Sequence, residues 1–452
     1  MKKKALLAVL LAMTLLLTSC ALIKKDEAVD AATVILKMGD KEITKKEVQQ
    51  AADNVLYEKY QYYSMFGSTL DMNDPAEIKS AQQTAVDALK KDMVTRAKVA
   101  ELGLEDQLTE EDNAKIRENA DSSWDYAKSY VKSYYLSDEQ KALEGEALDN
   151  AVAVKLEELG VNYDDYLASA KDTLLDNKLK ELTIKDITVS DDEVKADYDS
   201  KVAADEEKYK ENLESWATAD RNGTSTLYYT PAGIRRVKQI LIKFKADDQA
   251  AIDEANGRIT DANKRITEAQ ATLDNADASD DDKQKAEADK SAAETDLATA
   301  QADLKAATDK AFANLDEETD AVLEALNADP ASWDKLAEEK NEDPGMKAGA
   351  VNAEKGYAVF SGMTSFDSAF VDAAMSLAEA GAVSGKIRGE TYGYYIIKYV
   401  GEEAEGAVAL DSVKDAIHSS LLTTKQNDFY NETLNKWVSD AGIKENLGAL
   451  ND

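Results

Sequence analysis

The chain has 452 residues, a formal net charge of −35, 44% hydrophobic and 32% charged residues. That length is enough for two or three domains with cores of their own, while so acidic a surface repels nucleic acid and anionic lipid headgroups and argues against both as partners. A single cysteine excludes a disulfide within the chain, four prolines permit long uninterrupted helices, and no His/Cys/Asp/Glu grouping has metal-ligand spacing, so neither metal nor cofactor is expected.

At the start, Lys2-Lys3-Lys4 is a basic segment and Ala5 to Leu17 an apolar one that is too short to span a bilayer comfortably. It ends in Leu17-Thr18-Ser19-Cys20, which resembles a bacterial lipobox. The resemblance implies that residues 1–19 are a cleaved signal peptide, that Cys20 becomes the lipidated N-terminus, and that 20–32 is a polar tether. Cleavage would remove three lysines and leave a charge of −38. Two acyl chains suffice for stable anchoring, so the expected location is the extracytoplasmic face of a bacterial membrane.

Val34 to Ile43 then reads as a small hairpin turning at Gly39-Asp40, and Thr44-Lys45-Lys46-Glu47 as a capping box opening a helix. From Thr44 to Leu182 the pattern is helical nearly throughout, with interruptions near Gly67 to Asp74 and Leu136 to Gln140. Ten of the twenty tyrosines lie there, including Tyr57, Tyr60, Tyr62 and Tyr63, and Tyr126, Tyr130, Tyr134 and Tyr135, several at spacings of three and four that share a helical face. They serve either as core with wet hydroxyl tips or as an aromatic surface that holds unfolded chains. Ser190-Asp191-Asp192-Glu193 is a second capping box, and 212–230, with Asn222-Gly223-Thr224, reads as an irregular linker.

Arg235 to Lys243 is an apolar, β-branched run flanked by charge and is predicted to be a buried strand. Between 247 and 311 the heptad signal is the clearest in the chain: Ile252, Ile259, Ile266 and Leu273 repeat every seven residues with Ala255, Ala262, Ala269 and Ala276 three positions on. After Asp277-Ala278-Ser279-Asp280, Ala286, Ala293, Ala300 and Ala307 repeat likewise, which predicts an antiparallel, closely packed coiled-coil hairpin with arms of roughly 30 residues, about 45 Å each. The chain continues with a helix at Trp333, the turn Glu342-Asp343-Pro344-Gly345, a strand at Gly356 to Phe360 and a helix Phe366 to Leu377. Two more strands follow, Gly381 to Ile387 and Tyr392 to Val400, and then a long C-terminal helix through Val413, Ile417, Leu421, Leu434 and Trp437.

The order strand, Asp343-Pro344-Gly345, Phe-rich helix, Val383-Ser384-Gly385 and Gly393-Tyr394-Tyr395-Ile396-Ile397-Lys398 resembles the parvulin family of peptidyl-prolyl isomerases, and in particular SurA/PrsA-type foldases. The hairpin leading into a capped helix at Thr44 is similar to the start of their chaperone domain. The resemblance implies an α+β chain: a mostly helical chaperone domain over 33–211, a linker over 212–230, and a parvulin-like domain over 231–402 that carries the 247–311 insertion. It also implies a C-terminal helix in 403–452 that packs back on the chaperone domain.

Prolyl isomerisation forms no covalent intermediate; the ~20 kcal/mol barrier is amide resonance, so a catalyst must hold the twisted amide better than either planar form. By resemblance, Met363, Phe366 and Phe370 line the proline slot, Asp343 fills the acidic position, and the two family histidines fall on Gln239 and Tyr395. The only histidine, His418, lies in the C-terminal helix outside this block, so efficient catalysis is not expected. The leading expectation is a membrane-anchored folding factor that binds unfolded or secreted polypeptides through a parvulin-like domain of weak or lost activity. The alternatives are an active isomerase, and a structural surface lipoprotein binding a fixed partner through the coiled-coil arm.

Overall fold

A computed structural model describes residues 27–450; the signal peptide and Cys20 lie outside the described residues. The chain is α+β and divides into two units, one made of the residues up to Val189 together with those from Ser420 on, the other of Ser190–Ser419.

In the first unit the strands Val34–Met38 and Lys41–Thr44 pair about Gly39-Asp40, and Lys444–Glu445 adds to the free edge of Val34–Met38. The capping box forms as read: the Thr44 hydroxyl accepts from the Glu47 amide at 3.4 Å while the Glu47 carboxylate accepts from the Thr44 amide at 2.7 Å, opening helix Lys45–Met65. The helices Pro75–Glu101, Glu110–Tyr134, Glu146–Glu158 and Tyr163–Ile184 follow. Breaks occur at Gly103 and Gly160, which apolar periodicity alone passes over. Each glycine takes a left-handed conformation just past a helix end, φ +61° and +68°, and lets the chain turn to satisfy the last carbonyls. The C-terminal segment belongs to this unit, where Trp437 packs on Val99, Leu104, Leu175 and Leu179.

The second unit is built on a four-stranded antiparallel sheet in the order Tyr357–Val359, Arg235–Lys243, Gly393–Glu402, Ile387–Arg388. Side chains alternate across a strand, and here both faces are buried. Val237, Leu241, Tyr395, Ile397 and Tyr399 point to one face, called the front, with Phe370, Val371 and Ala374 of helix Ser368–Ser376 packed against it. Ile240, Ile242, Tyr394 and Ile396 point to the back, beneath Phe312, Leu315, Val322 and Trp333.

The back cover comes from the insertion. Its helices run Ala246–Asp274 and Asp280–Ala328, so the second arm is much longer than the 247–311 boundary allows: past Ala311 the alanine heptads give way to Phe312, Leu315, Val322 and Leu326, which pack on the sheet rather than on the first arm. The arms are antiparallel, since Arg258 pairs with Asp303 and, seven residues on, Arg265 with Asp296, seven residues back. Ala255, Ala262, Ala269, Ala286, Ala293 and Ala300 are buried in the seam, while Ile259 and Ile266 are only half-buried, because small residues bring the backbones close and leave the larger ones to the rim. Ala276 lies beyond the first helix and is exposed.

Two further expectations are revised. The contact division falls at Val189/Ser190, so the capped helix Asp191–Tyr209 lies with the second unit rather than within a 33–211 domain; its Tyr198 hydroxyl donates to the Val408 carbonyl at 2.7 Å. Where 212–230 reads as an irregular linker, the chain forms helix Leu213–Asn222, capped by the Asn212 side chain and ended by left-handed Gly223, and then strand Tyr229–Thr230.

Candidate functional site

The site lies on the front face around Gln239. Strand alternation turns this polar side chain into the same layer as Val237 and Leu241, where it is 8% exposed and must find partners. Its amide Nε2 donates to Asp343 Oδ2 at 2.6 Å, and the Tyr357 hydroxyl donates to the same oxygen at 2.9 Å. Asp343 is placed by its turn: Oδ1 accepts from the Gly345 amide at 2.9 Å, and Asn341 ties the turn to the strand by donating to the Gln239 carbonyl at 2.8 Å and accepting from the Leu241 amide at 2.9 Å. Gly345 is required here because a Cβ would collide with the Tyr357 hydroxyl that bonds Asp343. The other amide atom of Gln239, Oε1, is buried without a hydrogen-bond partner, a cost of about 1–3 kcal/mol for a site that stays empty.

Beside this cluster runs a chain of edge-to-face aromatic rings, Tyr357–Phe366 at 5.2 Å between centroids, Phe366–Phe370 at 5.5 Å and Phe370–Tyr395 at 5.3 Å. Met363 and Phe370 are buried in the front core, and Phe366 is its partly exposed member. The Arg221 guanidinium lies over the Phe366 ring at 4.9 Å and donates to the Ser365 hydroxyl at 3.3 Å; Glu214 accepts from the Thr364 and Ser365 amides at 3.1 and 3.0 Å. Helix Leu213–Asn222 therefore staples the loop that carries Met363 and Phe366. It is held in turn by Arg236, which reaches Asp220 through two nitrogens at 2.5 and 3.0 Å and Glu403 through Nε at 2.6 Å, with Lys355 adding a bond to Asp220 at 2.8 Å.

The sequence-predicted residues are thus brought together unequally. Gln239 and Asp343 bond directly, and Phe366, Phe370 and Tyr395 form one wall, but no hydrogen bond joins the Tyr395 hydroxyl to Gln239 or Asp343; Tyr395 meets the site through the Phe370 ring. Tyr357, Asn341, Arg221 and Glu214 escape the sequence reading. Of these, Tyr357 is signalled by its place in a strand whose alternation faces Gln239, whereas nothing in a segment that reads as linker points to Arg221 or Glu214. Burial, then the charge of Asp343 and the bond to it, push the Tyr357 phenol far above its ordinary range. Burial also pushes up that of Tyr395, with Asp367, Tyr392, Asp343 and Glu390 adding to it. Both tyrosines stay neutral at physiological pH, so the cluster offers hydrogen bonds and a desolvated apolar wall rather than a group that changes charge near neutrality. Among the described residues no His, Cys, Asp and Glu cluster has the geometry of a metal site.

No family model matches the sequence. The foldase protein PrsA of Clostridium acetobutylicum is 34% identical over 83 residues, 18% of this chain and 24% of that protein. PrsA of Clostridium botulinum (strain Hall) is 29% identical over 130 residues, 28% of this chain and 37% of that protein. The chain thus spans between 24% and 37% of the length of these curated relatives. Among solved structures, one reported for the SurA-like chaperones PEB4 and Cj1289 of Campylobacter jejuni is 16% identical, covering 71% of this chain and 94% of that one with a TM-score of 0.24. The peptidylprolyl isomerase PrsA of Bacillus cereus is 16% identical, covering 93% and 96%, with a TM-score of 0.18.

Proposed function

We propose that this chain, a relative of the PrsA foldases, is an extracytoplasmic protein-folding factor that holds unfolded or secreted polypeptides, and that its Ser190–Ser419 unit is a parvulin-like module binding X-Pro segments with weak or no isomerase activity. The observation that carries this reading is the Gln239–Asp343–Tyr357 cluster set against the Phe366–Phe370–Tyr395 wall. An apolar wall beside desolvated donors suits a proline ring and its preceding carbonyl, and the unpartnered Gln239 Oε1 offers a buried acceptor to a peptide amide. Phe370 and Met363 are covered, so a proline enters by displacing Phe366, which Arg221 holds in place.

Lipidation at Cys20 anchors the protein to the outer face of the membrane in this reading, and the residues before Val189 with the C-terminal segment form a discontinuous chaperone domain. Incorporation of labelled fatty acid, abolished in Cys20→Ala, checks the anchor.

The deciding experiment is a protease-coupled prolyl isomerisation assay run beside suppression of unfolded-protein aggregation. The expected result is little or no isomerisation with aggregation still suppressed, and isomerisation appearing in the Gln239→His/Tyr395→His double variant. Robust wild-type isomerisation lost in Phe370→Ala would establish a histidine-free isomerase instead, and failure to suppress aggregation would end the folding-factor reading.

A further inference from the structure

Two helices of the first unit bring exposed tyrosines to one surface. Tyr57 and Tyr60 lie three residues apart on helix Lys45–Met65, and Tyr126, Tyr130 and Tyr134 recur every four residues on helix Glu110–Tyr134, their rings 6.4 and 4.8 Å apart in a ladder. The two sets join at Tyr57: after burial, its hydroxyl is the nearest charge-bearing group that pushes up the Tyr130 phenol. Tyr57, Tyr126 and Tyr134 are 47%, 60% and 72% exposed. Aromatic rings left this far in water as a contiguous set mark a surface that takes a partner rather than a core that closes on itself.

The surface also states a charge preference. Asp53 stands one turn before Tyr57 and on its side of the helix. Its carboxylate is partly desolvated, which pushes its pKa up, and no hydrogen bond or ion pair among the described residues answers it. A carboxylate held at the edge of an aromatic surface without a cation is complementary to a cation brought by the partner, and the tyrosine faces themselves attract ammonium and guanidinium groups.

We infer that this surface binds an unfolded polypeptide segment whose apolar side chains lie on Tyr57, Tyr126, Tyr130 and Tyr134 and whose lysine or arginine pairs with Asp53. The inference rests on the reading that the chain holds unfolded polypeptides, and it adds where they are held and which ones are preferred. Neither the X-Pro slot nor any isomerase activity enters it.

The test uses the full chain and two probes: a proline-free unstructured peptide carrying leucine, phenylalanine and lysine, and the same peptide with its lysines acetylated. Wild type should bind the lysine form more tightly. Tyr57→Ser/Tyr126→Ser/Tyr134→Ser, all at exposed positions, should weaken binding of both peptides about tenfold or more with unchanged helix content by circular dichroism. Asp53→Asn should keep the acetylated peptide's affinity and remove the preference for lysine, roughly a threefold effect. Equal affinity of wild type for both peptides, or a preference that survives Asp53→Asn, overturns the charge assignment. Binding unaffected by the tyrosine substitutions overturns the site alone, whereas a wild type that binds neither these peptides nor any unfolded protein fails the folding-factor reading itself. If wild type sediments as a dimer that the triple variant dissociates while peptide binding persists, the surface joins two copies of this chain and the inference falls.

Discussion

The two faces of the four-stranded sheet are buried by different means. The back is closed by large apolar residues of one long helix, with Leu315 and Ile396 wholly covered and its ion pairs, Lys386 with Asp316 and Asp320, kept at the surface. The front is closed by short elements, the helices Leu213–Asn222 and Ser368–Ser376 and the Asp343 turn, and buries polar groups among them: Arg236 with Asp220, and Gln239 with Asp343. Apolar packing is tolerant and needs no exact partner, whereas every buried polar group must be answered or pays for desolvation. The back therefore supplies stability, and the front spends part of it to keep Gln239 Oε1 unsatisfied and Phe366 half-exposed where a peptide can reach them.

The sharpest way to break this contrast is at Arg236. Arg236→Met leaves Asp220 buried with Lys355 alone, and the loss expected for stranding a buried charge is about 3–5 kcal/mol in urea unfolding. Arg236→Met/Asp220→Asn should recover most of it, because a matched neutral pair no longer carries an uncompensated charge. On the back face Leu315→Ala removes a fully buried side chain and should cost about 3 kcal/mol from the lost transfer energy and the cavity, without changing peptide affinity at the front. A fall in affinity there as large as the fall in stability would mean that the two faces are not separable.

How legible these faces were follows from the same physics. The back-face strand residues Ile240, Ile242 and Ile396 and the arm's heptads could be read because apolar periodicity is local and repeats. The end of the arm could not, since Phe312 and Leu315 continue the helical pattern without a break while changing partner from helix to sheet. Both capping boxes, the Gly39-Asp40 turn and the Gln239/Asp343 pairing were legible from short motifs or from the parvulin resemblance. Helix Leu213–Asn222 was not: ten residues with one tryptophan and a glycine end give little periodic signal, and its role depends on contacts with residues some 140 positions away, Thr364 and Ser365. Arg221 and Glu214 are invisible to sequence for that reason. The exposure of Tyr57, Tyr126 and Tyr134 is likewise decided by tertiary packing, since their spacing fits core and surface equally well.

Acid should act on the front first. Burial works to raise the Asp220 pKa, but the Arg236 bonds and then Lys355 outweigh it and leave it below the ordinary carboxylate value. A carboxyl whose folded pKa is depressed stabilises the fold above its unfolded value, near 3.9, and that contribution is lost as pH falls through the folded pKa. Unfolding midpoints measured from neutrality downward should hold steady until about pH 5 and then drop, with a shallower drop in Arg236→Met/Asp220→Asn. Peptide binding, in contrast, should be flat between pH 6 and 8, since Tyr357 and Tyr395 are pushed up out of that range. A midpoint near neutrality in the binding curve would place a titrating group at the site that the cluster does not contain.

The smallest effect is expected in the outer arm, and it bears on what the insertion is for. Beyond Arg258–Asp303 each turn of the hairpin touches only the turn facing it, and its cross-arm pair Arg265–Asp296 is about half exposed, worth roughly 0–1 kcal/mol and screened by salt. Excising 263–299 and closing the arms with a short glycine-containing turn preserves the root that covers Ile240 and Ile396. The unfolding free energy of the sheet should then change by no more than about 1 kcal/mol, and affinity for an X-Pro peptide should not change. If affinity for longer unfolded chains falls while short-peptide affinity holds, the outer arm contacts clients beyond the site, since no path through the sheet's packing would carry that selective loss. If both hold, the outer arm does no work on polypeptides, and its conserved geometry of small buried alanines serves reach alone.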